Sequence, residues 1–293
     1  MLQAWQMKMV KDGLKSAIPF SDFLRKQKRK WSPYRSNPDN DALALRQGRD
    51  LTDWLVRHEA RFGTVLEIGT GWMPIIPFVL TKAGAEKIIL TDVERLLDQE
   101  TLAKSAEIVG IDVTAMNYDY LCPFDFREIP SNSLDIVYSR AVLEHIPPPT
   151  LVSILSECRR CLKPTGRMVH IVDNSDHWEH HDKSLSKIHF LQHQGLFWRL
   201  CNLNEQNYQN RLRHSDYGRL IQDAGFDVID EIAEIDWEAV GAARTLRLVP
   251  PFDRYHVCDL ATVTSMFMAA PAPQPAQAHP GASAYPAPVS GNQ

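Results

Sequence analysis

The chain reads as an α/β protein, a doubly wound and mostly parallel sheet, on three observations. Apolar runs of strand length, such as Val65 to Ile68, Ile88 to Leu90 and Ile136 to Tyr138, alternate with segments of helical period. The first run ends in a turn built on Gly69 and Gly71, and the second ends in Asp92. Five such strands separated by helices require right-handed crossovers, which make neighbouring strands parallel.

Taken in order, Leu43, Leu45, Leu51, Trp54, Leu55 and Val56 place a helix between Asp39 and Phe62, stopped near Gly63. Thr64 to Ile68 is a strand covered on both faces, and Gly69 and Gly71 permit the positive φ and close ligand approach of a sharp turn. Pro74 suits the first turn of a helix that Gly84 closes. Lys87 to Asp92 is a second strand, and Asp92 follows Gly71 by about the twenty residues that separate a glycine turn from a ribose-binding acid. A helix over Glu94 to Val109 and a short strand over Ile111 to Met116 come next, so that Asp119 and Tyr120 fall just past the third strand. Leu134 to Ser139 is the fourth strand, and Arg140 to Ile146 follows it until three prolines intervene. Thr150 to Leu162 is a helix and Gly166 to Asp173 the fifth strand. Later, Ser215 or Asp216 caps a helix over Tyr217 to Ala224, a sixth strand starts at Phe226, and Ala261 to Met268 is the seventh.

Composition sets the outer bounds. At 293 residues and 44% hydrophobic content, one main domain with appendages is expected: a basic amphipathic segment over 1–40, a core over 41–268, and a disordered Ala/Pro-rich tail over 269–293. No apolar run is long enough to span a membrane and no secretory pattern opens the chain, so a cytoplasmic location is expected. Cys158 and Cys161 form a CxxC within a helical pattern without a second pair, which favours buried helix cysteines over a zinc site. Residues 1–35 carry nine Lys or Arg against Asp12 and Asp22, with Trp5, Ile18 and Phe23 interleaved. That segment suits a lid, a weak membrane-surface contact, an anionic-substrate collar or a solvated packed helix. The mildly acidic whole gives no reason to expect nucleic acid.

Val65 to Gly71, Leu90 to Asp92, Tyr118-Asp119, Leu134 to Ser139, Leu143 to Ile146 and Leu162 to Gly166 together resemble the class I S-adenosylmethionine-dependent methyltransferases, nearest their small-molecule group. The resemblance implies a Rossmann-like seven-stranded sheet with an antiparallel last strand and S-adenosylmethionine as cofactor. It places Glu67, Gly69 and Gly71 under the methionine and ribose, and Asp92 with Val93 at the ribose. Asp119 and Tyr120 then fall at the adenine, and Ser139 and Arg140 at the sulfonium end. Asp92 as a helix cap and Asp119 as a turn residue are the plainer alternatives. Met73 stands where many members carry a third glycine.

Methyl transfer needs alignment, water exclusion and, for a hydroxyl or protonated amine, a base. His145 is a candidate base or merely a helix-end residue. An insertion after the fifth strand, residues 174–213, shapes the acceptor side and supplies Trp178, His177, His180 and His181. If helical, it sets the three histidines on one face, yet their order matches no metal motif, so no metal is expected and His177, His181 and His145 are taken as catalytic candidates. Phe190, Leu191, Phe197 and Trp198 suggest an aromatic cover, and Arg211 and Arg213 either offer paired donors to a carboxylate or phosphate of the acceptor or pair with nearby acids at the surface. The basic N-terminal segment and these arginines hint at an anionic small-molecule acceptor, a sugar or lipid-linked precursor, with Trp178 a further substrate-binding candidate. A binding or regulatory protein without turnover, favoured by Met73, and a nicotinamide-dependent dehydrogenase are the competing readings. The oligomeric state is not legible.

Overall fold

The structure, a computed structural model, describes residues 37–202 and 208–273. Residues 1–36 of the basic segment and 274–293 of the expected tail lie outside these residues. A seven-stranded sheet with order β3-β2-β1-β4-β5-β7-β6 forms the centre. Its strands are β1 (Thr64–Ile68), β2 (Lys87–Thr91), β3 (Tyr118–Leu121), β4 (Leu134–Arg140), β5 (Leu162–Asp173), β6 (Phe226–Ile235) and β7 (Thr262–Pro271). Only β7 runs antiparallel to its neighbours.

Helices α1 (Pro38–Arg57), α2 (Ile75–Lys82) and α3 (Gln99–Val109) cover one part of the sheet, and α4 (Pro148–Cys161) and α6 (His214–Asp223) another. Asn37 opens α1 by accepting from the Asp39 amide, and Leu51, Trp54 and Leu55 bury its inner face. Between β5 and α6 lies the cap, which contains the short α5 (Gly195–Cys201); α7 (Trp237–Ala243) and α8 (Val257–Leu260) complete the helices. Ile188, Phe190 and Leu191 of the cap make a third apolar cluster with Val240, Phe252 and Leu260. Among the described residues no helix is long and apolar enough to cross a membrane.

Four expectations need correcting. The third strand is Tyr118–Leu121; Val113–Ala115 is a single 3-10 turn capped by Asp112, and Ile111, Val113 and Met116 pack against the core beside α3. α3 starts at Gln99, where Asp98 and Thr101 form a capping box, so 93–98 is loop. α6 begins at His214 with Arg213 at its cap, and Asp216 accepts from the Arg213 amide. β7 continues to Pro271, because Ala269 and Ala270 pair with β5 and β6 and Ala269 is fully buried.

Candidate active site

The parallel strands set their carboxyl ends side by side, and the glycine turn sits there. Ile68 is level with Thr91, and the amides of Gly69 and Thr70 both donate to the Thr91 carbonyl. Gly69 and Gly71 adopt φ of 75° and 69°. The Gly71 amide donates to Asp92 Oδ2 at 2.9 Å, and the Glu94 amide to Asp92 Oδ1 at 3.2 Å. Asp92 therefore ties the turn to the loop after β2, and Val93 beside it is 80% exposed. Met73 points away: it packs in the core, with Ser105 Oγ 3.6 Å from its sulfur.

Beneath the turn, Glu67 is buried and takes a 2.8 Å hydrogen bond from the Tyr138 hydroxyl, while its Oε2 has no hydrogen-bond partner. Burial pushes Glu67 up to about 7, against the pull of that bond. Ser139 is fully buried rather than at an open mouth, with its hydroxyl 2.8 Å from His170 Nδ1. Burial drives His170 down to about 3, so this imidazole stays neutral. Arg140 follows at the tip of β4, faces Glu144, Glu67 and Asp173, and is lowered by burial.

Asp119 is the clearest displacement among the expected site residues. It is level with Ile89 inside the sheet and pairs with Lys87, the first residue of β2, at 2.7 Å. That is the amino end, opposite the glycine turn, so Asp119 does not reach an adenine there. Tyr120 instead braces the loop after Asp92: its hydroxyl accepts from the Leu96 amide at 3.3 Å, and Arg95 lies over its ring.

Residues 177–181 form hydrogen-bonded turns rather than the expected helix. His177 stacks on His180 with centroids 5.2 Å apart and meets His145 at 5.0 Å, while His181 is exposed. Ser175 donates its amide and hydroxyl to Asp173 Oδ1, leaving Oδ2 3.5 Å from His177 Nε2. Burial opposes ionisation of Asp173, but the neighbouring His177 and bonding from Ser175 outweigh it and hold the acid at about 2. His145 Nδ1 lies 2.8 Å from the Tyr208 carbonyl, which can only accept, so Nδ1 carries the proton and Nε2 a lone pair. Burial lowers the His145 pKa. Glu144 is 3% exposed with neither carboxyl oxygen hydrogen-bonded, and burial raises it to about 8. Arg140, Asp173, Ser175, His180 and Lys187 line a cleft of about 290 Å³ beside this cluster.

The expected acceptor-binding residues are structural. Arg213 is fully buried and donates to the carbonyls of Arg211, Leu212 and Asn174. Arg211 donates to the carbonyls of Phe190 and His193, with its guanidinium 3.7 Å over the Trp198 ring. Trp178 packs against His189, His193 and Trp198 in the interior of the cap. None of the three faces the cleft, because each serves the cap's own packing. Phe190 and Leu191 are likewise its core.

A family model described as a methyltransferase domain matches residues 42–231. The chain belongs to this methyltransferase family. Its methyl donor is S-adenosylmethionine. The structure of magnesium protoporphyrin IX methyltransferase from Synechocystis PCC 6803, with bound SAH, has 14% identity and a TM-score of 0.50, covering 89% of this chain and all of that one (100%). CurJ carbon methyltransferase has 17% identity and a TM-score of 0.43 over 72% of this chain, and the methyltransferase SibL 16% and 0.43 over 73%. This chain spans about half the length of each of those two, 48% and 51%. A search of curated proteins finds no match.

The strand tips of this methyltransferase suit the donor. A Cβ placed on Gly71 would meet nothing within 4 Å, leaving room against the turn, and Glu67 Oε2 is an unpartnered buried acceptor. Two residues of this methyltransferase were not read as site residues from sequence: Glu144, although it adjoins His145, and Asp173 as the partner of His177. Glu144 is recognised only once β4 and β5 lie side by side, whereas Asp173 stands four residues before His177, a spacing already present in the sequence.

Proposed function

We propose that the chain transfers the methyl group of S-adenosylmethionine to a small polar molecule held in the cleft between the strand tips and the cap. The observation that carries this reading is the His145–His177–His180 imidazole row with Asp173 behind it, at the same sheet end as Gly71 and Asp92. Glu67, Gly69, Gly71, Asp92 and Val93 hold the donor. When bound, it supplies a methyl group on a positively charged sulfur, open to in-line displacement. His177, oriented by Asp173, accepts the proton that a hydroxyl or ammonium acceptor must lose. Arg140 and Lys187 are the cations lining the cleft, Lys187 being paired with Asp236 at 2.6 Å, so recognition of an anionic group rests chiefly on Arg140 rather than on Arg211 and Arg213. Because Met73 packs into the core, it no longer argues for a protein without turnover. The test is S-adenosylhomocysteine release across a panel of hydroxylated and aminated small molecules. Acceptor-dependent release that His177→Ala suppresses supports the reading, and donor binding without release for any of them counts against it.

A further inference from the structure

We infer that Glu144, His145 and His177 form a binding site for one divalent transition-metal ion of the zinc class. One donor atom from each lies within 4.8 Å of the others. Glu144 is the decisive member: its carboxyl is buried and both oxygens lack a hydrogen-bond partner, a costly arrangement that a cation relieves. His145 is already in the ligating tautomer, since its Nδ1–H is held by the Tyr208 carbonyl and Nε2 is left free. His177 Nε2 also lacks a hydrogen bond, and Asp173 Oδ2 lies 3.5 Å from it, outside the three-residue group.

Two imidazoles and a carboxylate make a borderline donor set that suits zinc and its neighbours better than magnesium or calcium. The His145 and His177 side chains are 33% and 25% exposed against 4% for Glu144, so the open coordination positions face outward on the imidazole side. Arg140 is the competing cation, but it is shared with Glu67 and Asp173. An acceptor oxygen bound to the ion would lose its proton more readily, relieving His177 of that task. This last role rests on the methyl-transfer reading, whereas binding of the ion does not.

The test uses untagged full-length chain stripped with a chelator and titrated with Co²⁺, read by visible absorption and equilibrium dialysis without S-adenosylmethionine. One ion per chain is expected, with affinity reduced at least about tenfold in Glu144→Gln and in His177→Ala and unchanged in His181→Ala. Absence of saturable one-to-one binding overturns the site, as does wild-type affinity in the Glu144 and His177 variants. Far-UV circular dichroism checks folding, and if Glu144→Gln does not fold, the partly exposed His177 decides alone. S-adenosylhomocysteine affinity, measured separately by calorimetry, reports on the donor site, so a failure there is distinguishable from a failure of the metal site.

Discussion

Gly69 and Val142 stand so close that a Cβ on the glycine would lie 2.7 Å from Val142 Cγ2. Gly71, two residues on, has the same left-handed backbone and open space on that side. The two glycines therefore answer differently to one added methyl. Gly69→Ala is expected to lose about 2–4 kcal/mol through strain and overlap together. Gly71→Ala is expected to lose only about 1–2 kcal/mol while filling the space proposed for the donor. Thermal unfolding with S-adenosylhomocysteine titration checks this, and equal stability losses would contradict the contrast.

Asp92 holds two backbone amides of the turn and the following loop. Asp92→Ala should weaken S-adenosylhomocysteine at least about tenfold, with a stability cost of about 1–3 kcal/mol from the freed amides. Calorimetry on the folded variant is the measurement. Unchanged affinity would remove Asp92 from the donor site.

Glu67 gives a pH dependence with a definite sign. Folding raises its pKa from 4.5 to about 7, so the folded chain keeps a proton that the unfolded chain releases. Its stabilisation is complete below pH 4.5 and is lost as pH rises through 7, on the order of 3 kcal/mol in all. Glu67→Gln carries no such proton. Wild type should therefore lose stability relative to this variant between pH 5 and about 8, as followed by denaturant midpoints, and parallel curves would refute the assignment.

Removing Arg213 strands buried carbonyls of 174, 211 and 212 in the cap and at α6. Arg213→Ala should cost about 3 kcal/mol or more in stability, with donor affinity unchanged in whatever fraction folds. A variant of wild-type stability with a raised acceptor KM would instead restore Arg213 to acceptor binding.

His177→Ala should lower kcat about a hundredfold or more while leaving S-adenosylhomocysteine affinity within about twofold. Wild-type turnover would clear His177 of a part in the chemistry.

The buried centre of the sheet was legible because β1, β2 and β4 are covered on both faces and so read as apolar runs. The edge strand β3 was not: Tyr118 to Leu121 is only partly covered, while the more apolar Ile111 to Met116 forms a turn that packs against the core. Asp119 was misplaced with it. Arg213 was read as an acceptor ligand because two of the carbonyls that hold it inside, those of Asn174 and Leu260, lie far from it in the chain. The Glu144, His145 and His177 grouping has no sequence spacing to reveal it, since the β4–β5 pairing creates it. Ala269, Ala270 and Pro271 have the composition of the tail that follows them, and only their pairing marks them as strand.

The last strand also settles where the chain leaves the fold. β7 descends against β5, so Pro271 lies level with Phe226 at the end of the sheet remote from the cleft, where Arg159 grips the carbonyls of both Gly225 and Ala272. A fluorophore, affinity handle or surface tether joined directly after Pro273, in place of residues 274–293, would start on the far side from the cleft, which makes Pro273 the attachment point for immobilising this protein with the cleft facing solution.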